Sequence, residues 1–188
     1  EIKTDFTYQL LFRGGGAIGA NAFALPDGTV VITDELIALA KNDDEVMSVL
    51  LHEIGHVEHR HSLRMVISHS GLAILSLAIL GDVNSAGALV LALPSLLVES
   101  SYSRELESEA DDFSLAKMRQ DGLDPVHFAN LMSRLGRCGF LDMKEIKANE
   151  CDEITEKTDP EESMFHYLSS HPATDERIQK FRSASKAK

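Results

Sequence analysis

Positive charge is scarce in this chain, where 18 Lys and Arg stand against 30 Asp and Glu for a formal net charge of -12. With no basic stripe, the phosphate backbone of a nucleic acid has nothing to bind, and an anionic membrane surface is disfavoured for the same reason. Cysteine is nearly absent. Cys138 and Cys151 stand alone, outside any CxxC pair, so there is no cysteine-based zinc or redox motif. They are either one disulfide closing a short loop, which requires an oxidising compartment, or two unrelated thiols. Apolar runs are short: Leu72 to Leu80 and Ala86 to Val98 each fall below the roughly 20 residues of a bilayer span. They read as a buried helical hairpin, or as an apolar lip that dips into a membrane or faces substrate. Gly14-Gly15-Gly16 does not form a GxGxxG leading into a helix, so it reads as a tight loop rather than a nucleotide site. No internal repeat is visible. The chain opens at Glu1 without Met or an apolar leader, and is expected to be a mature product or an excised piece of something longer.

What is present suits one core. At 188 residues and 44% hydrophobic content, residues 1–188 are expected to form a single domain. Residues 1–41 read as its β-rich part: Thr7 to Phe12 has strand character, and Asn21 to Leu25 and Thr29 to Thr33 flank the turn signal Pro26-Asp27-Gly28. Residues 42–137 read as the helical core. Asn42 with Glu45 three residues on is a capping-box start, and Val46, Val49, Leu50 and Ile54 carry a long helix to about Ser70. Further helices are expected from Ser103 to the stop at Gly122 and from Asp124-Pro125 to about Arg137. Residues 138–162 lose the apolar period and turn acidic, suggesting an exposed insertion, before a last helix near Thr174 in the 163–188 segment.

His52-Glu53-Ile54-Gly55-His56 is an HExxH. On a helix its two histidines lie one turn apart on one face and reach the same ion, while Glu53 sits beside the metal, where a general base takes a proton from the attacking water. Catalytic zinc takes three protein ligands and keeps one position open. The third ligand is not a metzincin histidine, because positions 59 and 62 are His and Ser where that pattern needs Gly and His. A later carboxylate is the other source, and Glu105, Glu107, Glu109 and Asp111 cluster within one segment. Glu107 and Asp111, one turn apart, suit a ligand and a carboxylate that accepts the free N–H of a ligating imidazole. His61 lies 140° around a continuous helix from His56 and cannot share its metal; it, His59, His69, His127 and His166 read as surface or packing residues.

Four blocks in order resemble metallopeptidase family forty-eight, the gluzincins related to the CAAX prenyl protease, HtpX and BepA: Asn21 to Pro26, His52 to Val57, Ser103-Arg104 with Glu107 to Asp111, and Ser170-His171-Pro172 with Arg177-Ile178. The resemblance implies zinc ligands His52, His56 and Glu107, general base Glu53 and supporting Asp111. It also implies that His171 lies close to the metal, polarising the scissile carbonyl oxygen or capping the zinc at rest. Arg177 would support that loop, and Arg104 would tie the ligand helix in place.

The resulting expectation is an α+β, mainly helical, zincin-like fold. A small N-terminal antiparallel sheet or hairpin packs on the HExxH helix and on a second ligand helix. One Zn2+ per chain is the expected cofactor, with protein or peptide substrates, no nucleic acid, and a full-length protein that is membrane-anchored or free in the bacterial cell envelope. Residues Asn21, Ala22, Phe23 and Ala24 are expected to form an edge strand to which an extended peptide adds. Two other functions stay open: a zinc-stabilised binding or chaperone module with His171 closing the site, and an enzyme acting on lipidated peptides.

Overall fold

The computed structural model describes residues 7–65, 67, 102–138, 151, 167–172 and 174–186. The apolar stretches Leu72 to Leu80 and Ala86 to Val98, the 138–162 segment apart from its two cysteines, His69, His166 and the far end of the long helix lie outside them.

Three strands form one sheet in the order β1-β3-β2, with β1 Gln9–Arg13, β2 Ala22–Ala24 and β3 Thr29–Thr33. The expected hairpin is present: β2 runs antiparallel to β3 with Phe23 opposite Val31. The Leu25 amide donates to the Thr29 carbonyl at 2.7 Å, and Gly28 takes φ 91° in the turn. An all-antiparallel sheet was the expectation, and this part is corrected, because β1 pairs with β3 in parallel, Leu11 opposite Val31. The loop from Gly14 to Asn21 carries the chain across one strand's width. The gap of roughly 10 Å it leaves between β1 and β2 takes β3 between them. Alternation along a strand shows which face is buried and is silent on partner direction. β3, with both neighbours in place, is buried along its whole length.

Thr33 ends β3 and starts a helix that the strand-like reading of residues 1–41 overlooked, α1 Asp34–Leu39. Its Oγ1 accepts from the Leu36 amide at 3.3 Å, and Asp34 and Glu35 sit in the first turn, where the helix dipole favours them. Helix α2, Asp43–Glu58, begins as expected, with Asn42 Oδ1 accepting from the Glu45 amide at 3.0 Å. The Glu45 carboxylate reaches back one residue further than a capping box requires, accepting from the Lys41 amide at 2.8 Å. It also receives both terminal nitrogens of Arg134, at 2.7 and 3.1 Å, in a buried pair.

The expected run to Ser70 is interrupted. Helix α2 stops at Glu58, Arg60 takes the left-handed φ of 54°, and residues 61–65 are helical again on a new course. A left-handed residue breaks the i→i−4 ladder, and an arginine gives no warning of it. Helix α3, Arg104–Asp121, is capped by Ser103 and ended by Gly122 at φ 75°. Asp124 caps α4, Val126–Cys138, and a disulfide joins Cys138 to Cys151. A single turn, α5 Tyr167–Ser170, leads to α6, Asp175–Lys186, whose Thr174 Oγ1 accepts from the Arg177 amide at 3.2 Å.

Helix α2 packs on α3, on β2 and on α4, and α4 packs on α6. The core between them includes Ile32, Leu36, Val49, Leu115, Phe128, Met132 and Phe181. One contact sets the site's spacing. A Cβ at Gly55 would sit 3.0 Å from the Ala110 carbonyl oxygen and 3.1 Å from its Cα, so glycine at the fourth position of the HExxH lets the backbone of α3 lie against α2.

Candidate metal centre

Helix α2 buries His52, Glu53 and His56 completely. One helical turn places His52 Nε2 and His56 Nε2 3.0 Å apart. Because α3 lies so close, Glu107 reaches the same spot: Oε2 is 3.4 Å from His52 Nε2, and Oε1 is 3.3 Å from His56 Nε2. His171, following α5, completes the group, its Nδ1 2.9 Å from Glu107 Oε1 and its Nε2 3.6 Å from Glu53 Oε1. Each of His52, His56, Glu107 and His171 offers one ligand atom, and those atoms all lie within 4.8 Å of one another.

The donor set suits a divalent cation. Glu53 Oε1 and Oε2, Glu107 Oε2 and His171 Nε2 are buried without a hydrogen-bond partner among the described residues, and such orphaned groups cost free energy unless an ion or water fills the space. Glu107 and Asp111, both buried, face the guanidinium of Arg177, and Glu53, beside His171, is a third buried carboxylate of the same cluster. Two negative charges are left unbalanced when the imidazoles are neutral, the charge of one such ion. Two imidazoles with a carboxylate are ligand types that zinc takes.

Asp111 stands behind His52, with Oδ1 3.1 Å from its Nδ1. Arg177 grips Asp111 through Nε at 2.8 Å and Nη2 at 2.7 Å, donates from Nη1 to the Pro172 carbonyl at 2.9 Å, and brings Nη1 to 2.6 Å from Glu107 Oε2 without hydrogen-bond alignment. The guanidinium therefore links the ligand helix to the His171 loop. Burial alone would push the Asp111 carboxyl up, but its hydrogen bonds to Arg177 and His52 outweigh this and hold it below its usual range. Burial likewise opposes ionisation of Glu107, yet the charge and hydrogen bond of His171 and the contacts of His52 and His56 bring its pKa well down. In the metal-free chain burial lowers the His52 pKa, but the bonds to Asp111 and Glu107 overcome it and raise the imidazole to about 9. His56, buried and beside two other imidazoles, is driven well below the ordinary histidine value.

Some participants carried no sequence signal. Tyr102 lies against His56 with ring centroids 4.1 Å apart, and Tyr167 stacks on His171 at 4.5 Å. Burial raises both phenol pKa values, so the two rings stay neutral walls. His61, read from the sequence as a surface or packing residue, is fully buried and bonded to His56 Nδ1 at 2.9 Å. The break at Arg60 removes the continuous helix on which the 140° separation rested.

Arg104, expected to tie the ligand helix in place, is exposed in the first turn of α3, and no side-chain hydrogen bond of it is seen among the described residues. Arg104 lies on the wall of a cleft of about 710 Å³ that also meets Tyr102, Glu107, Asp111, Arg177 and Lys180.

Strand β2 is an edge of the sheet. The flanking bonds at Leu25–Thr29 and Asn21–Thr33 make Phe23 the inward-bonded residue, so the backbone groups of Ala22 and Ala24 point away from β3. That outer edge is not open to solvent, since Ala22 is 0% and Ala24 2% exposed, and the Ala24 carbonyl accepts from Ser62 Oγ at 2.8 Å.

The chain is similar to several known metalloproteases. Over 162 residues it is 31% identical to the mitochondrial metalloendopeptidase OMA1 of Arabidopsis thaliana, covering 84% of this chain and 28% of that protein. The metalloprotease LoiP of Escherichia coli is 29% identical over 166 residues, 86% of this chain and 57% of its own length. The beta-barrel assembly-enhancing protease of the same bacterium is 30% identical over 145 residues, 72% of this chain and 29% of its length. The chain thus spans between about a quarter and somewhat over half of these relatives. Peptidase family M48 matches from residue 15 to residue 185, across every element of the site described above, and the chain belongs to that family.

Proposed function

We propose that this domain is the catalytic part of a zinc-dependent metalloendopeptidase that cleaves unfolded or flexible protein segments in protein quality control. The observation that carries it is the buried convergence of His52, His56, Glu107 and His171 beside a Glu53 carboxylate whose oxygens have no hydrogen-bond partner among the described residues. Zinc held by His52, His56 and Glu107 would supply Lewis acidity to the attacking water and the scissile carbonyl. Glu53 takes the water's proton and passes it to the departing amine. His171 polarises the carbonyl oxygen, or covers the site at rest, and Asp111 fixes the orientation of His52. Tyr102, Tyr167 and Phe128 keep bulk water from the reacting groups.

The rival is a zinc-stabilised binding or chaperone module in which His171 is a fourth ligand and the site is closed; the four-donor group gives it support. Glu53 separates the two readings, because a structural site gains nothing from a buried carboxylate that makes no hydrogen bond among the described residues. Glu53→Gln is expected to retain stoichiometric zinc while losing hydrolysis of casein. Cleavage at the wild-type rate by the purified variant would remove the enzymatic reading.

Substrate addition along β2 belongs to the same proposal, with a condition set by Ser62: its hydroxyl must leave the Ala24 carbonyl before a peptide can bond there. Ala24→Pro deletes an outward-facing N–H and is expected to raise KM with zinc content unchanged; an unaltered KM argues for another binding edge. The Cys138–Cys151 disulfide supports an oxidising compartment, and the bacterial cell envelope is the location proposed. Among the described residues no helix is long and apolar enough to cross a membrane, so anchoring of a longer protein is proposed from the relatives alone.

A further inference from the structure

Asp111 explains how His52 is oriented. His56, the second histidine of the HExxH, has no such carboxylate at its Nδ1 among the described residues; that nitrogen meets another ring. His61 Nδ1 lies 2.9 Å from His56 Nδ1, and His61 Nε2 lies 3.0 Å from Glu109 Oε2, which Arg64 Nη1 also approaches at 2.8 Å. The left-handed turn at Arg60 brings His61 back to this place from beyond the end of α2.

A contact between two ring nitrogens at that distance holds one hydrogen, and the direction of the chain follows from its ends. The Nε2 of His56 faces His52 Nε2 and Glu107, the candidate ligand cluster. A histidine that ligates through Nε2 carries its hydrogen on Nδ1, so His56 donates and His61 Nδ1 accepts. The neutral His61 then has its hydrogen on Nε2 and donates it to Glu109, so every donor in the run has an acceptor.

We propose that His61 and Glu109 are positioning residues for the metal centre, a His56–His61–Glu109 relay that fixes the tautomer and ring angle of His56 as Asp111 does for His52. This rests on the metal-centre reading above. His59, His61 and Glu109 also place ligand atoms within 4.8 Å of one another. A second cation there would need the His61 Nε2 position that the relay fills with hydrogen, and the Glu109 oxygen that Arg64 already holds. The relay accounts for these contacts without such an ion.

The test is zinc affinity, measured by competition with a chromophoric chelator on the folded chain, together with the visible absorption of the cobalt-substituted protein. Losing a residue that orients a metal ligand typically weakens metal binding about 10- to 100-fold, and His61→Leu is expected in that range with a shifted cobalt spectrum. His61→Asn places an amide oxygen near the former Nδ1 and is expected to recover most of the affinity. Glu109→Ala, at a half-exposed position, is expected near the 10-fold end and serves if His61→Leu does not fold. Wild-type affinity in His61→Leu or Glu109→Ala overturns the relay, as does His61→Asn binding no better than His61→Leu. A second zinc equivalent, bound by the wild type and lost in Glu109→Ala, overturns it in favour of an ion site. Glu107→Ala is the control: if it holds zinc like the wild type, the metal-centre reading fails and the relay with it, whereas its loss beside an unaffected His61→Leu removes the relay alone.

Discussion

Replacing Arg177 with methionine removes one guanidinium and leaves most of the volume. In the folded chain that guanidinium makes two short bonds to Asp111, whose side chain is 1% exposed, and one to the Pro172 carbonyl, and it also lies 2.6 Å from Glu107, a carboxylate that keeps His52, His56 and His171 beside it when Arg177 is lost. Breaking one side of a buried pair costs about 3–5 kcal/mol, mostly because the remaining charge has neither partner nor water. His52, 3.1 Å from Asp111 and protonated at neutral pH when no metal is present, supplies part of the missing charge. The expected cost for the metal-free chain is therefore near the lower end, about 3 kcal/mol. With a urea slope of about 2 kcal/mol per molar, the unfolding midpoint falls by about 1.5 M. The assay is urea unfolding in EDTA at pH 7, followed by circular dichroism, for Arg177→Met and for the double variant Arg177→Met with Asp111→Asn. Removing both charges is expected to recover most of the loss. A midpoint shift below about 0.5 M, or a double variant no more stable than the single one, would refute the assignment of Arg177 as the counter-charge of Asp111.

Two further outcomes follow from the same geometry. His52 is raised from 6.5 to about 9 in the metal-free chain, so its stabilisation is complete below about pH 6.5 and is lost as the pH rises through 9. Urea midpoints in EDTA are expected to fall across that interval by the equivalent of up to about 3 kcal/mol, whereas the zinc-loaded chain should show no such fall because the ion replaces the proton; equal pH profiles with and without zinc would contradict this. His171→Ala is expected to change kcat: a rise marks a side chain that covers the site at rest, and a drop of roughly 100- to 1000-fold marks one that stabilises the oxyanion. An unchanged kcat returns His171 to the status of a loop residue.

Features written in a few neighbouring residues were legible before the fold. Asn42, Ser103, Gly122 and Asp124 cap or stop helices where expected, Asp27-Gly28 makes the hairpin turn, and the HExxH lies on α2. The candidate site was legible because its spacing is local within each helix: one turn joins His52 to His56, and another joins Glu107 to Asp111. What was missed depends on groups far apart in sequence. The parallel seat of β1 is decided by β3, twenty residues later. The Glu45–Arg134 pair and the Tyr102–Ser62 contact have no local signature. The turn at Arg60 has a residue type that ordinarily continues a helix, and without that turn His61 could not be placed beside His56. Arg104 shows how little a position in sequence says of a side chain's surroundings. It occupies the expected position in sequence, and the first turn of α3 leaves it exposed, whereas Arg177 is held against Asp111.

The Cys138–Cys151 bridge has a consequence for the protein's own survival in the presence of proteases. His52, Glu53, His56 and Glu107 lie before Cys138, whereas His171 and Arg177 lie after Cys151, so a nick between the cysteines would otherwise divide the site between two peptides. The bond keeps them as one molecule, and re-docking of the His171 segment becomes an intramolecular event at an effective concentration on the order of millimolar. A chain cut there would run as two bands only after reduction, and thiol, not the cut itself, would be what separates the two halves of the centre.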